Sequence, residues 1–383
     1  MGGKHGGMAR LGKRTRDWDR FAHWPPGAAM LALALFAALL ALAAWTAGDT
    51  QLRINQTPPA DADPVAVQAQ RAENNAHNAG RDTDLRLYDR IAERVGEGEN
   101  YYDVAVDEQR ARDFPVRPGL AVRLPTLAFV TAVLGQWGMI ALALVLGAGT
   151  LVGWHLRLRN APGAVGRLRY IMLLLVLGMV SGFKPQYLAL HEVWAGVLIA
   201  LSLALHRKKR WVWAVLAGAL ALAVRELALP YVLLMGALAL YRGKPREAMA
   251  WGAVTLAFLV ALWFHLAAVG AVTSPSDPPS PGWFALRGLG GWTGNIVLSS
   301  PLYLLPAWLA APVALLPLIG WAGWRTRFGF TGFLLCLGYG VLFMIAGREN
   351  NFYWALIVMP VWFVGLAFTP HALASLWNSA RGY

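Results

Sequence analysis

An all-α polytopic membrane protein is what this sequence predicts, with about ten transmembrane helices and a long, helical first outer loop. Three observations predict it. Hydrophobic residues fill 57% of the 383 positions and charged residues only 14%, too apolar for an ordinary water-soluble domain. The apolar residues collect in runs separated by short basic loops, the pattern that orients a multi-spanning chain. Tryptophans such as Trp24, Trp45, Trp211, Trp213, Trp283, Trp292 and Trp324 fall near the ends of those runs, where aromatic rings settle at the membrane–water boundary. Two other classes drop out. Cys336 is the one cysteine, so there is no disulfide framework. The net charge of +13 is spread over loops between spans, where it sets orientation, and does not call for a nucleic-acid partner.

Residues 1–26, with Lys4, Arg10, Lys13, Arg14, Arg16 and Arg20, read as a basic cytoplasmic tail. Residues 27–47 are apolar for about 20 residues, enough to span and longer than the roughly 7–15 residues of a signal-peptide core. They are expected to stay as the first span, with the N-terminus inside. Residues 48–135 then lie outside, in the periplasm of a bacterial-type envelope. Gly48–Gly80 reads as a linker, rich in Ala, Asp, Asn, Gln and Pro. Leu87, Ile91 and Val95 recur at helical spacing and predict a helix over Asp84–Val95, ended by Gly96 and Gly98. Tyr101–Phe114 predicts a second short helix closed by Pro115 and Pro118. Leu120–Leu134 reads as an interfacial segment leading into a membrane domain over 136–369. Spans are expected there at 136–156, 170–183, 190–206, 211–224, 227–241, 249–271, 302–323, 328–346 and 352–369. With 27–47 that gives an even number, which returns the chain to the cytoplasm for a second tail at 370–383.

The stretch Trp211–Tyr241 stands out. It lies between the basic segments HRKKR and RGKPR, so it must enter and return. Each arm is then roughly 21 Å of helix, against a hydrocarbon core of about 30 Å. The tip, Arg225-Glu226-Leu227-Ala228-Leu229-Pro230, therefore falls near membrane depth. A shortened hairpin is tolerated there only if it is buried in protein or lines a wet cavity.

Charges at membrane depth default to functional hypotheses. Lys184, His191-Glu192, Arg225-Glu226 and Arg348-Glu349 qualify, and all fall on the outer side with the acidic first loop. They could equally be structural ion pairs, such as Arg225 with Glu192. As a set they suit a site for phosphate, because Arg binds it as a planar fork and Lys as a point charge. A carboxylate in the outer loop suits a general base acting on a hydroxyl.

The outer loop also resembles the first outer loop of the GT-C class of integral-membrane glycosyltransferases. The resemblance rests on Asp84, Tyr88, Ile91, Ala92, Gly98, Pro118, Arg123 and Pro125, in that order. Leu85 departs from it, since aminoarabinose and mannosyl transferases often carry Glu there. Arg225-Glu226 and Arg348 with Tyr353 look like the Arg and Tyr positions near late span ends in polyprenyl-phosphate-sugar transferases. What the resemblance implies is concrete. A sugar moves from a polyprenyl-phosphate donor to a hydroxyl on a glycan, lipid or protein acceptor, with inversion, at the outer face of the inner membrane. Asp84 is the base and Asp82 the fallback. Arg225, Arg348 or Lys184 meet the phosphate, His191 and Glu192 orient the sugar, and Tyr88 and Tyr353 stack on it or hydrogen-bond to it. Glu226 accompanies Arg225.

Asp82-Thr83-Asp84 and Asp61-Ala62-Asp63 spell Asp-x-Asp, which suits Mg²⁺ or Mn²⁺. A lipid-monophosphate donor does not need a metal, so no cofactor is expected, though a divalent ion remains compatible. His265 reads as a packed histidine. Thr273–Pro301 reads as a loop rich in Pro and Gly, either an interfacial lid or a passive connection. The competing classes are a transporter or flippase and a non-catalytic subunit of an envelope-polysaccharide assembly complex.

Overall fold

A computed structural model describes residues 18–54, 85–208 and 210–383. Among the described residues the chain is helical, and β-pairing is limited to isolated bridges. Helix α1, Pro26–Ile54, runs past the expected end at Ala47. The sequence after Ala47 loses hydropathy but offers no proline before Pro58, so nothing local stops the helix.

The described part of the first loop, 85–125, folds as a unit. Helix α2, residues 85–96, buries Leu87, Ile91 and Val95. Gly98, at φ +94, then turns the chain, a conformation that suits glycine. Helix α3, Tyr101–Arg110, starts where the Asn100 side chain accepts from the Tyr102 N–H. Tyr101, Val104, Ala105 and Val106 of α3 close with the α2 stripe, Val116 and Val122 into a small core that reaches Val269. The loop is therefore seated on the membrane domain by apolar contact.

Helix α4, Thr126–Leu158, replaces the expected interfacial segment and separate span with one element bent at Gly135 (φ 62, ψ 179). That backbone is open to glycine and strained for other residues. There follow α5 (Leu168–Val180), α6 (His191–Leu205), α7 (Val212–Val224), α8 (Leu229–Tyr241), α9 (Pro245–Val272), α10 (Gly288–Leu298), α11 (Ala307–Gly323) and α12 (Arg327–Ile345). A broken segment over Glu349–Ala367 contains the one-turn helix α13 (Met359–Trp362), and α14 spans Thr369–Ala380.

Several of these helices are long and apolar enough to cross a membrane. They are Pro26–Ala47, Gly119–Leu158, Pro245–Val272 and Arg327–Ile345, with a fifth if Asn350–Ile357 and Met359–Ala367, bent by 60°, count as one. This differs from the ten expected spans. The sequence shows apolar runs, but α6, α7, α8 and α11 are only 13–17 residues long. At about 1.5 Å per residue, most of them fall well short of a roughly 30 Å core. Helices α7, α8 and α11 keep exposed apolar side chains such as Trp213, Leu220, Leu240 and Trp308. Helix α6 differs, with nearly every position from His191 to Ala204 buried, as expected for a helix apolar on all sides.

The broken segment is held inside protein, the condition for irregular backbone at membrane depth. Ala355, Ile357, Val358, Met359 and Trp362 are fully buried. Two glycines admit its backbone. A Cβ at Gly178 of α5 would strike the Met359 carbonyl, and one at Gly196 of α6 the Leu356 carbonyl. Gly196→Leu is expected to cost about 1–3 kcal/mol or more, in the range of overpacking. Thermal denaturation in detergent checks this.

Two segments differ from the sequence expectation. Helix α10 lies within the expected loop Thr273–Pro301. Its glycines lower helix propensity, but close packing needs one of them: a Cβ at Gly291 would meet the Phe343 carbonyl at 2.7 Å. The expected tail 370–383 forms most of α14, whose Ala372, Leu376 and Ser379 are buried. Ala372 and Leu376 pack with Phe21 and Ala29, and His371 Nε2 lies 2.8 Å from Asp19. The two chain ends thus pack together near the start of α1.

Candidate active site

The shortened hairpin α7–α8 turns at Arg225–Ala228, where Arg225 leaves the helix in extended backbone (φ −148, ψ 122). The turn aims the guanidinium at the first turn of α6. Arg225 Nε donates to Glu192 Oε1 at 2.8 Å, with both side chains 1% exposed. A second arm of the same guanidinium donates to Glu226. Glu226 also faces Arg123 at 3.9 Å. Two carboxylates thus neutralise two guanidiniums in a nearly dry interior, the arrangement in which buried charge is tolerated.

Arg123 reaches outward from this core. Its Nε donates to Tyr88 Oη at 3.2 Å and an Nη to Tyr353 Oη at 3.4 Å. Its backbone carbonyl accepts from Tyr101 Oη at 2.6 Å, so α3 fixes its position. The Tyr88 ring meets His191 edge to face at 5.3 Å. Asn351 donates to Tyr353 Oη at 3.4 Å, and the Arg225 guanidinium lies over the Trp354 ring at 6.0 Å. Hence Tyr88, His191, Glu192, Arg225, Glu226 and Tyr353, six positions singled out from sequence, share one cluster built from α2, α6, the α7–α8 tip and the broken segment.

Of the other four, two lie outside the described residues and two make separate contacts. Asp82 and Asp84 lie outside the described residues; Leu85, which follows Asp84 in the chain, opens α2. Lys184 is exposed, with its ammonium over the Tyr187 ring at 5.6 Å. Arg348 donates its backbone N–H to Asn351, while its side-chain Nε is buried with no acceptor among the described residues. The Trp354 indole N–H is orphaned in the same way. Two unused donors in one stretch want an acceptor, since buried polar groups are normally paired.

A cavity of about 1100 Å³ opens beside the cluster, at the upper end of small-molecule sites. One wall is the polar face of α2, with Arg86, Tyr88, Asp89 and Arg90. The other is apolar, from Leu127, Ala128, Ala132 and Met139 of α4 and Leu188. Tyr88 and His191 belong to both cluster and cavity. Arg225, Arg348 and Lys184 do not line it. For Arg225 the sequence left open a phosphate contact or an ion pair with Glu192, and the geometry shows the pair. Its donors are committed to Glu192 and Glu226, so it positions Arg123 and the hairpin tip.

Sequence reasoning missed two members. Arg123 was only a motif position, although a charge just before an apolar run signals a role. Asp89 faces the cavity, and its surroundings push its carboxyl above the usual range by desolvation. His265 packs under Tyr102 at 5.6 Å, with Nε2 3.2 Å from the Val122 carbonyl.

The segment after α9 is clamped to the outer loop. Arg110 holds both Asp277 carboxylate oxygens at 2.8 Å, and Arg117 donates to the Pro275 carbonyl. The Arg110 guanidinium and the Ser274 N–H hold the Asp277 carboxyl down at about 2, against an ordinary 3.8. A depressed carboxylate stabilises above its unfolded pKa and loses that contribution as pH falls through the folded one. The clamp is therefore expected to hold at pH 4 and above and to open only between 3.8 and about 2. Asp277→Asn should open it at neutral pH, seen as faster hydrogen exchange over 273–287.

Comparison with family models, with curated proteins and with solved structures finds no match.

Proposed function

We propose that this protein is an integral-membrane glycosyltransferase of the GT-C kind. In this reading it moves a sugar from a polyprenyl-phosphate donor to an acceptor hydroxyl on the outer face of the membrane. One observation carries it: a cavity with one polar wall that holds Arg86 and Asp89 and one apolar wall adjoins a buried charged cluster. An amphiphile with an anionic head matches both walls. The prenyl chain would lie along Leu127, Ala128 and Met139. The phosphate would meet Arg86 at the mouth, since charge-assisted bonds to phosphate are the strong ones. Tyr88 and His191, shared by cavity and cluster, would contact the sugar.

Asp84 sits two residues before Arg86 in the chain. As base it would accept the proton of the acceptor hydroxyl, whose oxygen forms the new bond to the anomeric carbon. The bond to the phosphate oxygen breaks on the opposite face, giving inversion and releasing polyprenyl phosphate. A monophosphate leaving group needs no metal for this step. Asp82 is the alternative base, and Asp89 a third carboxylate within the cavity.

The test is transfer by membranes containing the protein, supplied with a panel of polyprenyl-phosphate sugars. Transfer by the wild type and none by Asp84→Asn is the expected result. No transfer with any donor would return the protein to the transporter or assembly-subunit class.

A further inference from the structure

The opposite end of the same helices carries a second enclosed site. Helix α6 starts at the charged cluster and ends at His206; α8 starts at the hairpin tip and ends at Arg242. Beside those far ends, the N-termini of α9 and α12 close a cleft of about 80 Å³, several times the roughly 10–15 Å³ that a single water needs. Its charged lining is Lys208, Arg242, Lys244, Arg327, His206 and Glu247.

The charge in it does not balance. Glu247 is buried and already engaged, 2.6 Å from His206 Nε2. None of the four Lys and Arg residues pairs with a carboxylate among the described residues. Arg242, half-buried, donates instead to the Thr331 hydroxyl at 2.9 Å and to the Arg327 carbonyl at 3.3 Å. Both acceptors are neutral, and its guanidinium has further N–H groups to give. The first turn of α9 adds to this. Lys244 caps it without a side-chain bond, so the amides of Arg246 and Glu247 and the positive end of a 28-residue helix face this end of the molecule. Burial and the neighbouring Arg327 charge lower the Arg242 pKa more than the Glu247 carboxylate raises it, the direction expected where positive charge is crowded.

We infer that this cleft binds a phosphate-type oxyanion, carried either by an anionic phospholipid headgroup at the membrane surface or free in solution. Basic loops alone would orient the chain, but orientation needs no enclosed cleft, no half-buried guanidinium and no threonine to aim it. A cationic pocket between helix ends at the membrane surface is the setting in which lipid headgroups are held. The inference is independent of the proposed transferase, because the cleft lies at the far end of α6 and α8.

The experiment uses the full-length protein, purified in neutral detergent, and reads thermal stability and native mass spectra. Phosphatidylglycerol and inorganic phosphate are titrated separately, with phosphatidylcholine as the uncharged reference. The expected result is a saturable rise in Tm with at least one anion and none with phosphatidylcholine. A response to phosphatidylglycerol alone assigns a headgroup; an equal response to inorganic phosphate assigns a free anion. Arg242→Gln/Lys244→Gln should weaken the apparent affinity at least tenfold. Lys208→Gln, at an exposed position, should weaken it in the same direction with the fold intact. Arg169→Gln, an exposed arginine outside the cleft, should leave it unchanged. No saturable response to either anion, or equal responses in wild type and both cleft variants, overturns the inference.

Discussion

Arg225→Met is expected to destabilise the protein by about 3–5 kcal/mol, the cost of breaking a buried ion pair from one side. The guanidinium is 1% exposed and serves two carboxylates. Without it, the buried Glu192 loses its hydrogen-bonded counterion, while Glu226 keeps Arg123 at 3.9 Å. That asymmetry makes a second prediction from the same geometry. Arg225→Met/Glu192→Leu should recover most of the loss, because removing both members of a buried pair is often near neutral. Thermal denaturation of the two variants in one detergent measures the difference. If the single and double variants fall equally, the pair is not what holds the hairpin tip.

Asp84→Asn is expected to lower sugar transfer by about 10²–10⁴-fold, the usual worth of a positioned general base, with thermal stability unchanged. Asn keeps the shape and loses the proton-accepting charge, so the two readouts separate chemistry from folding. If Asp84→Asn transfers normally while Asp82→Asn or Asp89→Asn does not, the base belongs to the other carboxylate. Arg225→Met lowers activity too, but through the fold, so it cannot stand in for this experiment.

Some of this was legible in the sequence and some was not. Leu87, Ile91 and Val95 announced α2 because local periodicity and packing agree there. The short hairpin was legible from arithmetic, since two basic flanks and a 30 Å core leave too few residues for two full spans. Helix α10 was not legible. Its glycines argue against a helix locally, and the approach of the Phe343 backbone explains Gly291. The number of crossing helices was not legible for a related reason: an apolar run reports the absence of water, whether lipid or protein replaces it. Helix α6 is oily because protein surrounds it.

The candidate site divides the same way. Residue type and depth marked Glu192, Arg225 and Glu226. Their pairing crosses 33 positions, which is why the sequence could offer the Arg225–Glu192 pair only as one of two alternatives. Arg123 is the converse case. It is an ordinary loop cation in the sequence, yet it links Tyr88, Tyr353 and Glu226.

The central claim is that the cavity beside Tyr88 holds a sugar-bearing lipid phosphate. Photocrosslinking tests it most directly. A polyprenyl-phosphate sugar with a diazirine near the anomeric end is irradiated with the purified protein, and the labelled peptides are sequenced. The account predicts label on α2 around Tyr88 and on the segment from Arg348 to Tyr353, competed away by unlabelled polyprenyl phosphate. Label that avoids both segments, or that unlabelled lipid does not compete, would contradict it.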